Sequence, residues 1–231
     1  MATHDFRRGA VQPLECIKEG FEIIKSDYWL LFVILLVSLL ISSVSLLIAA
    51  GAMTCGTFYC FLKKIDGDPV SLEDLWKGMQ WFLPGLALVL FFVVPMIAIY
   101  AVIYLPIIMA AAMGARLSQD ELIGLLLGAF AVDLVLIVVM VCVHTLLIFA
   151  FPLIVDRDLG VLKAMTTSAR AVLANLGGVA GLLGLNFLIA LGGQLALCIG
   201  IYFVMPIIIA GNVVAYRKVF PRAAGSLSHT A

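Results

Sequence analysis

Apolar and polar residues alternate in long blocks along this chain. Residues 29–62 run 34 positions without a charge, residues 81–115 repeat the pattern, and residues 122–154 carry a single one, Asp133. Two further apolar runs cover about 176–193 and 195–216. One membrane-crossing helix needs about 20 such residues. The pattern therefore predicts an all-α fold, a polytopic transmembrane helix bundle in which every backbone N–H and C=O is satisfied within a helix.

The polar blocks are patterned too. Residues 14–27 place Leu14, Ile17, Phe21 and Ile24 at helical spacing, with Glu15, Lys18, Glu19, Glu22 and Lys25 opposite. Tyr28 and Trp29 follow, suited to a membrane–water boundary. In residues 63–80, Gly67 and Pro69 mark a turn. Ser71 and Asp74 have capping-box spacing, Glu73 and Lys77 are an i,i+4 pair, and Leu72, Leu75, Met79 and Phe82 form a stripe. In residues 155–175, Asp158 is the expected N-cap of an amphipathic helix over 159–174. Its Leu162, Met165, Ala169, Val172 and Leu176 lie on one face and Lys163, Thr166, Thr167 and Arg170 on the other.

Three interfacial helices, at 14–27, 71–82 and 159–174, thus each lead into a span. Asp66, Asp68, Leu72 and Leu75 precede Asp156, Asp158, Leu162 and Met165 by 90 positions, the register of an internal repeat. Three units of helix plus span pair give six short spans with three cytoplasmic interfacial helices. The expected organisation is an N-terminal tail (1–13), one transmembrane domain (14–220) and a flexible C-terminal tail (221–231).

Residues 29–62 are too short for two full spans and long for one. They are either one tilted helix or two short helices meeting near "ISSVSLLIAAG". Basic residues choose between these. Thirteen of the fourteen Lys and Arg fall before the first run, in residues 63–80, in residues 155–175 and after the last run, and only Arg116 falls beside Asp120 and Glu121. Cytoplasmic basic loops then require the run to leave and return, with both termini cytoplasmic. Five spans with the first amphipathic helix outside is the alternative. The last two runs, separated near Gly192 and Gly193, read as a tight hairpin.

Composition agrees: 64% of residues are hydrophobic and 12% charged, with zero net charge, against about 25% charged in a soluble domain. No attraction to nucleic acid follows. The first 28 residues carry nine charges, so no removable leader is expected. Cys16, Cys55, Cys60, Cys142 and Cys198 form no CxxC pair, and neither a metal nor another cofactor is implied.

The stretch "FPLIVDRDLGVLKAMTTSARAVLANLGG", with "MPIIIAGNVVAYRKVF" after it, resembles a broad group of bacterial inner-membrane proteins. That group includes the YciC-like proteins and the membrane domains fused to some glycerophosphodiester phosphodiesterases. Pro152, Asp156, Gly160, Ala164, Ser168, Arg170 and Asn175 carry the resemblance, and "AGAMTCGTFYCFLKKIDGDPVSLEDLWKG" is similar to the group's Gly-rich span and turn. The resemblance covers most of residues 14–220. It implies six spans and the bacterial inner membrane, and no particular activity.

Asp133 is the first candidate for chemistry, because intramembrane carboxylates mark sites. His144 lies three turns further on nearly the same face, about 16 Å away. A cation or proton path is one reading. A bond from Asp133 to a backbone carbonyl, Asn186 or Asn212 is the plainer one. Asn186, Gln194 and Asn212 form the remaining polar set in the last two spans. Gly124/Gly128 and Gly177/Gly181 have GxxxG spacing, for close helix packing within the chain or a dimer interface. Pro84, Pro95, Pro106, Pro152 and Pro206 kink helices or break them around a site. No nucleophile motif or phosphate loop stands out. The expected function is a non-enzymatic accessory or scaffold protein that packs with the lipid bilayer or with other membrane-protein subunits. The alternative is a small transporter or channel using Asp133.

Overall fold

The computed structural model describes residues 6–112, 118–196 and 199–222. Its helices are α1 (Pro13–Ile24), α2 (Tyr28–Val44), α3 (Ala50–Ile65), a 3₁₀ helix (Leu72–Trp81), α4 (Phe82–Ala112), α5 (Gln119–Leu146), α6 (Ala150–Arg157), α7 (Val161–Ala174), α8 (Leu176–Ala196) and α9 (Gly200–Val219). No strand forms among the described residues. Five helical stretches are long and apolar enough to cross a membrane: Pro13–Val44, Leu72–Met109, Gln119–Arg157, Leu176–Ala196 and Gly200–Val219. The chain is an all-helical, polytopic membrane protein. Arg116, Cys198 and most of the C-terminal tail lie outside the described residues.

Contacts divide the chain into two units, Met1–Ala87 with Thr145–Ala231, and Leu88–His144. In the larger unit, residues 29–62 make two helices, not one. The chain turns after Val44, with Leu46 and Leu47 in left-handed backbone (φ 48° and 70°). Helix α3 then returns, and its Lys64 pairs with Asp27 at the start of α2. At about 1.5 Å per residue, the 17-residue α2 is about 25 Å long, and the 16-residue α3 is slightly shorter.

Helix α1 runs antiparallel to α9. Glu19 meets Lys218 at 2.9 Å, Gly20 abuts Gly211, and Tyr28 donates to the Phe203 carbonyl. Only part of the apolar stripe of α1 lies against protein: Ile17 and Ile24 are buried with Cys16, whereas Leu14 and Phe21 are exposed. The 3₁₀ helix turns back along α3. A Cβ on Gly56 would sit 2.1 Å from the Leu75 carbonyl oxygen, and one on Gly78 would sit 2.2 Å from that of Ala52. Gly51 and Gly85 touch in the same way. Only glycine allows this approach, because any side chain would occupy the neighbouring backbone.

The Ser71–Asp74 capping box is formed, and Gly67 (φ 88°) makes the expected turn. Two local expectations are corrected. Lys77 pairs with Asp74 at 3.1 Å rather than with Glu73. Asp158 does not cap α7, whose N-cap is Gly160; it ends α6 in left-handed backbone (φ 49°) and accepts from Trp81 Nε1 at 3.1 Å.

Helix α7 has three faces. Ala164, Thr167, Ser168, Ala171 and Val172 are buried. Leu162 and Leu173 are exposed, as is Leu176 beyond the helix end. Lys163 and Arg170 form an exposed basic edge. Thr167 is therefore buried, although the spacing puts it on the polar face, and Leu162 is exposed, although the spacing puts it on the apolar one. The helix buries its smallest side chains, which permit close approach to protein, and turns its leucines outward.

In the α8–α9 pair, Gly192 and Gly193 lie within α8 rather than in the turn between the helices. Gly193 instead packs against Gly200, where a Cβ would lie 2.0 Å from the Gly193 oxygen.

The smaller unit contains most of α4, with Pro95 and Pro106 inside the helix, and most of α5. Two contacts join its helices, Tyr104 to Asp133 and Phe92 to His144. Residues 92 and 104 rise while 144 and 133 fall, so the helices are antiparallel. No described residue of α5 is buried within the chain.

Candidate functional site

The polar blocks converge at one end of the larger unit, where α3, α6 and α9 finish. Arg217, in the last turn of α9, is the hub. Its Nε and Nη2 donate to the two oxygens of Asp66 at 2.9 and 2.6 Å, a bidentate fork. Nη2 also lies 2.7 Å from Asp156 Oδ1. Tyr216 Oη donates to the other Asp156 oxygen at 2.7 Å. The three side chains of the hub are largely buried, with 11–16% of their areas exposed. The Tyr216, Phe149 and Phe220 rings meet in tilted and edge-to-face contacts, and Arg157 lies over the Phe220 ring at 5.1 Å.

Asp66 and Asp156 are one of the two aspartate pairs that the 90-residue register matches. Asp66 closes α3 and Asp156 lies in the last turn of α6, and Arg217 bonds both. Arg217 was not singled out by the sequence. The signal available was a basic residue closing the last span at the level of two register-matched aspartates.

A pocket of about 560 Å³ opens beside the hub. Asp66, Asp68, Asp156, Lys63, Arg217 and Arg222 supply its charges. Lys63 is held by Asp74 at 2.8 Å. Arg222 and Asp68 lie at the edge, 3.7 Å apart.

Several residues that carry the family resemblance secure helix ends. Ser168 Oγ donates to the Leu146 carbonyl (2.8 Å) and accepts from the Phe149 amide (3.2 Å), satisfying the helix break before α6. Asn175 Nδ2 donates to the carbonyls of Arg7 (3.0 Å) and Ala171 (2.9 Å), and its Oδ1 accepts from Ala10 N (3.0 Å). This clamps residues 7–10 to the end of α7. Ala164 is buried, Gly160 starts α7, Pro152 sits in the first turn of α6, and Arg170 is exposed.

The intramembrane polar candidates separate into pairs. The Asp133 carboxyl is bonded by Tyr104 of α4, whose hydroxyl donates to Oδ2, rather than by the expected backbone carbonyl or amide side chain, and its Oδ1 is buried without a partner. Asn186 Nδ2 donates to Asn212 Oδ1 at 2.8 Å across α8 and α9. His144 packs on the Phe92 ring, and Gln194 is exposed. Asp133 and His144 are not brought together.

Among the glycines, Gly181 touches Pro13, whereas a Cβ added at Gly124, Gly128 or Gly177 would have nothing within 4 Å. The close helix contacts use Gly20, Gly51, Gly56, Gly78, Gly85, Gly193, Gly200 and Gly211 instead. An apolar groove of about 530 Å³ between α2, α3 and α9 includes Phe32, Leu36, Thr57 and Met205.

Among the described residues, no group of three His, Cys, Asp or Glu is placed to hold a metal ion. No family model, curated protein or solved structure matches the chain.

Proposed function

We propose that the chain is a non-enzymatic accessory or scaffold protein of the bacterial inner membrane, a member of the YciC-like group it resembles. Its partners are the lipid bilayer and other membrane-protein subunits, and both termini are cytoplasmic. The observation that carries this reading is the way intramembrane polar groups are used. Asp133 is bonded by Tyr104, and Asn186 by Asn212, each across a helix pair. Such bonds fix helices against one another. The apolar groove between α2, α3 and α9 and the outward leucines of α7 add lipid-facing surface.

A second reading, a small transporter or channel, is favoured by one atom, the unpartnered Oδ1 of Asp133. Proteoliposomes separate the two. The scaffold reading expects no proton or cation flux above that of empty vesicles, and Asp133→Asn folded and expressed as wild type, because an amide still accepts the Tyr104 hydrogen bond. A flux that Asp133→Asn abolishes in folded protein would replace the first reading by the second. Affinity purification in mild detergent, with mass spectrometry, tests for partner subunits.

A further inference from the structure

We infer that the pocket beside Arg217 binds a zwitterionic phosphate–ammonium group, the chemistry of an ethanolamine phospholipid headgroup. The inference rests on the reading of the chain as a membrane protein that packs with lipid. Three carboxylates (Asp66, Asp68, Asp156) and three cations (Lys63, Arg217, Arg222) line the pocket. They cancel, so an ion of one sign meets as much repulsion as attraction, whereas a ligand carrying both signs can face each in turn.

The groups are not equally engaged. Asp66 and Asp156 are bonded by Arg217, and Lys63 by Asp74, at hydrogen-bond distance. Arg222 differs. It lies 3.7 Å from Asp68 and 4.0 Å from Asp66, ion-pair separations too long for hydrogen bonds. No hydrogen bond from its guanidinium, and none to the Asp68 carboxylate, forms among the described residues. The site thus offers, side by side, a planar donor fork and an acceptor that are ion-paired but not hydrogen-bonded. A guanidinium fork matches phosphate oxygens, and a carboxylate accepts from an ammonium. An ethanolamine ammonium has N–H groups to donate to Asp68, and a quaternary choline has none. The depth agrees, because the pocket lies where the apolar helices α3, α6 and α9 give way to charge, the level of lipid headgroups.

Native mass spectrometry of the full chain in detergent, with phosphatidylethanolamine, phosphatidylcholine and phosphatidylglycerol of matched acyl chains, tests this. Phosphatidylethanolamine should be retained roughly tenfold more tightly than the other two, the effect of about one charge-assisted hydrogen bond. Asp68→Asn and Arg222→Gln should each remove the preference while leaving the thermal midpoint near wild type. Arg170→Gln, on the exposed edge of α7, should leave it intact. Soluble phosphoethanolamine added in excess identifies the source. Displacement of the lipid assigns the site to the headgroup chemistry from either source, and lipid retention without displacement assigns it to membrane lipid. Equal retention of the three lipids by the wild type overturns the inference, as does a preference that survives both rim variants. A headgroup preference without a co-purifying subunit would count against the scaffold reading and leave the site standing. A partnered protein with no preference would do the reverse.

Discussion

Asp66 and Arg217, 151 residues apart, form a two-point fork at 2.9 and 2.6 Å that joins the ends of α3 and α9. Asp156 adds a third helix end to the same guanidinium at 2.7 Å. One largely buried cation thereby ties the closing residues of three helices.

Removing that cation leaves Asp66 and Asp156 with only the longer ion pairs to Arg222 (4.0 Å) and Arg157 (3.9 Å). Arg217→Ala should destabilise the protein by roughly 3–5 kcal/mol, the effect of breaking a buried pair. Arg217→Lys should recover only part of this, because an ammonium cannot reproduce the fork. Thermal unfolding in detergent measures both, and a wild-type midpoint for Arg217→Ala would remove the hub from the account.

Glycine substitutions should divide by contact rather than by motif. Gly56→Ala places a methyl against the Leu75 carbonyl and should cost about 1–3 kcal/mol, as other overpacking changes do. Gly124→Ala meets open space and should be neutral or slightly stabilising in an unpartnered chain. If Gly124→Ala weakened the protein as much as Gly56→Ala, the face of α5 would be occupied by another helix.

Helix α7 gives a contrast between adjacent threonines. Thr167 is buried and Thr166 exposed, on the side of the basic edge. Thr167→Asp should lower expression and thermal stability sharply, because it buries a charge with no partner. Thr166→Asp should be tolerated. Equal sensitivity of the two would contradict the orientation of the helix.

Topology is open to thiol labelling. Basic-residue asymmetry puts the segment around Ser118 outside and α7 inside. With Cys142 and Cys198 replaced by serine, an impermeant thiol reagent applied to whole cells should label Ser118→Cys and not Thr166→Cys. Labelling of Thr166→Cys alone would invert the assignment.

The helical class, the span-forming runs, the Ser71–Asp74 capping box and the break within residues 29–62 were legible from residue order. Each depends on local chemistry, namely apolar length, turn residues and basic flanks. The register of Asp66 with Asp156 was legible as well, though not its purpose. Only the tertiary structure decided that Arg217 gathers both aspartates, that Tyr104 holds Asp133, and that Gly56 and Gly78, rather than Gly124 and Gly128, sit at close helix contacts. The faces of α7 were also settled there. In a membrane, lipid is as apolar as leucine, so hydrophobicity alone does not say which side of a helix faces protein. Close fit and hydrogen bonding decide that, which is why small and polar side chains lie inward on α7 while Leu162 and Leu173 lie outward.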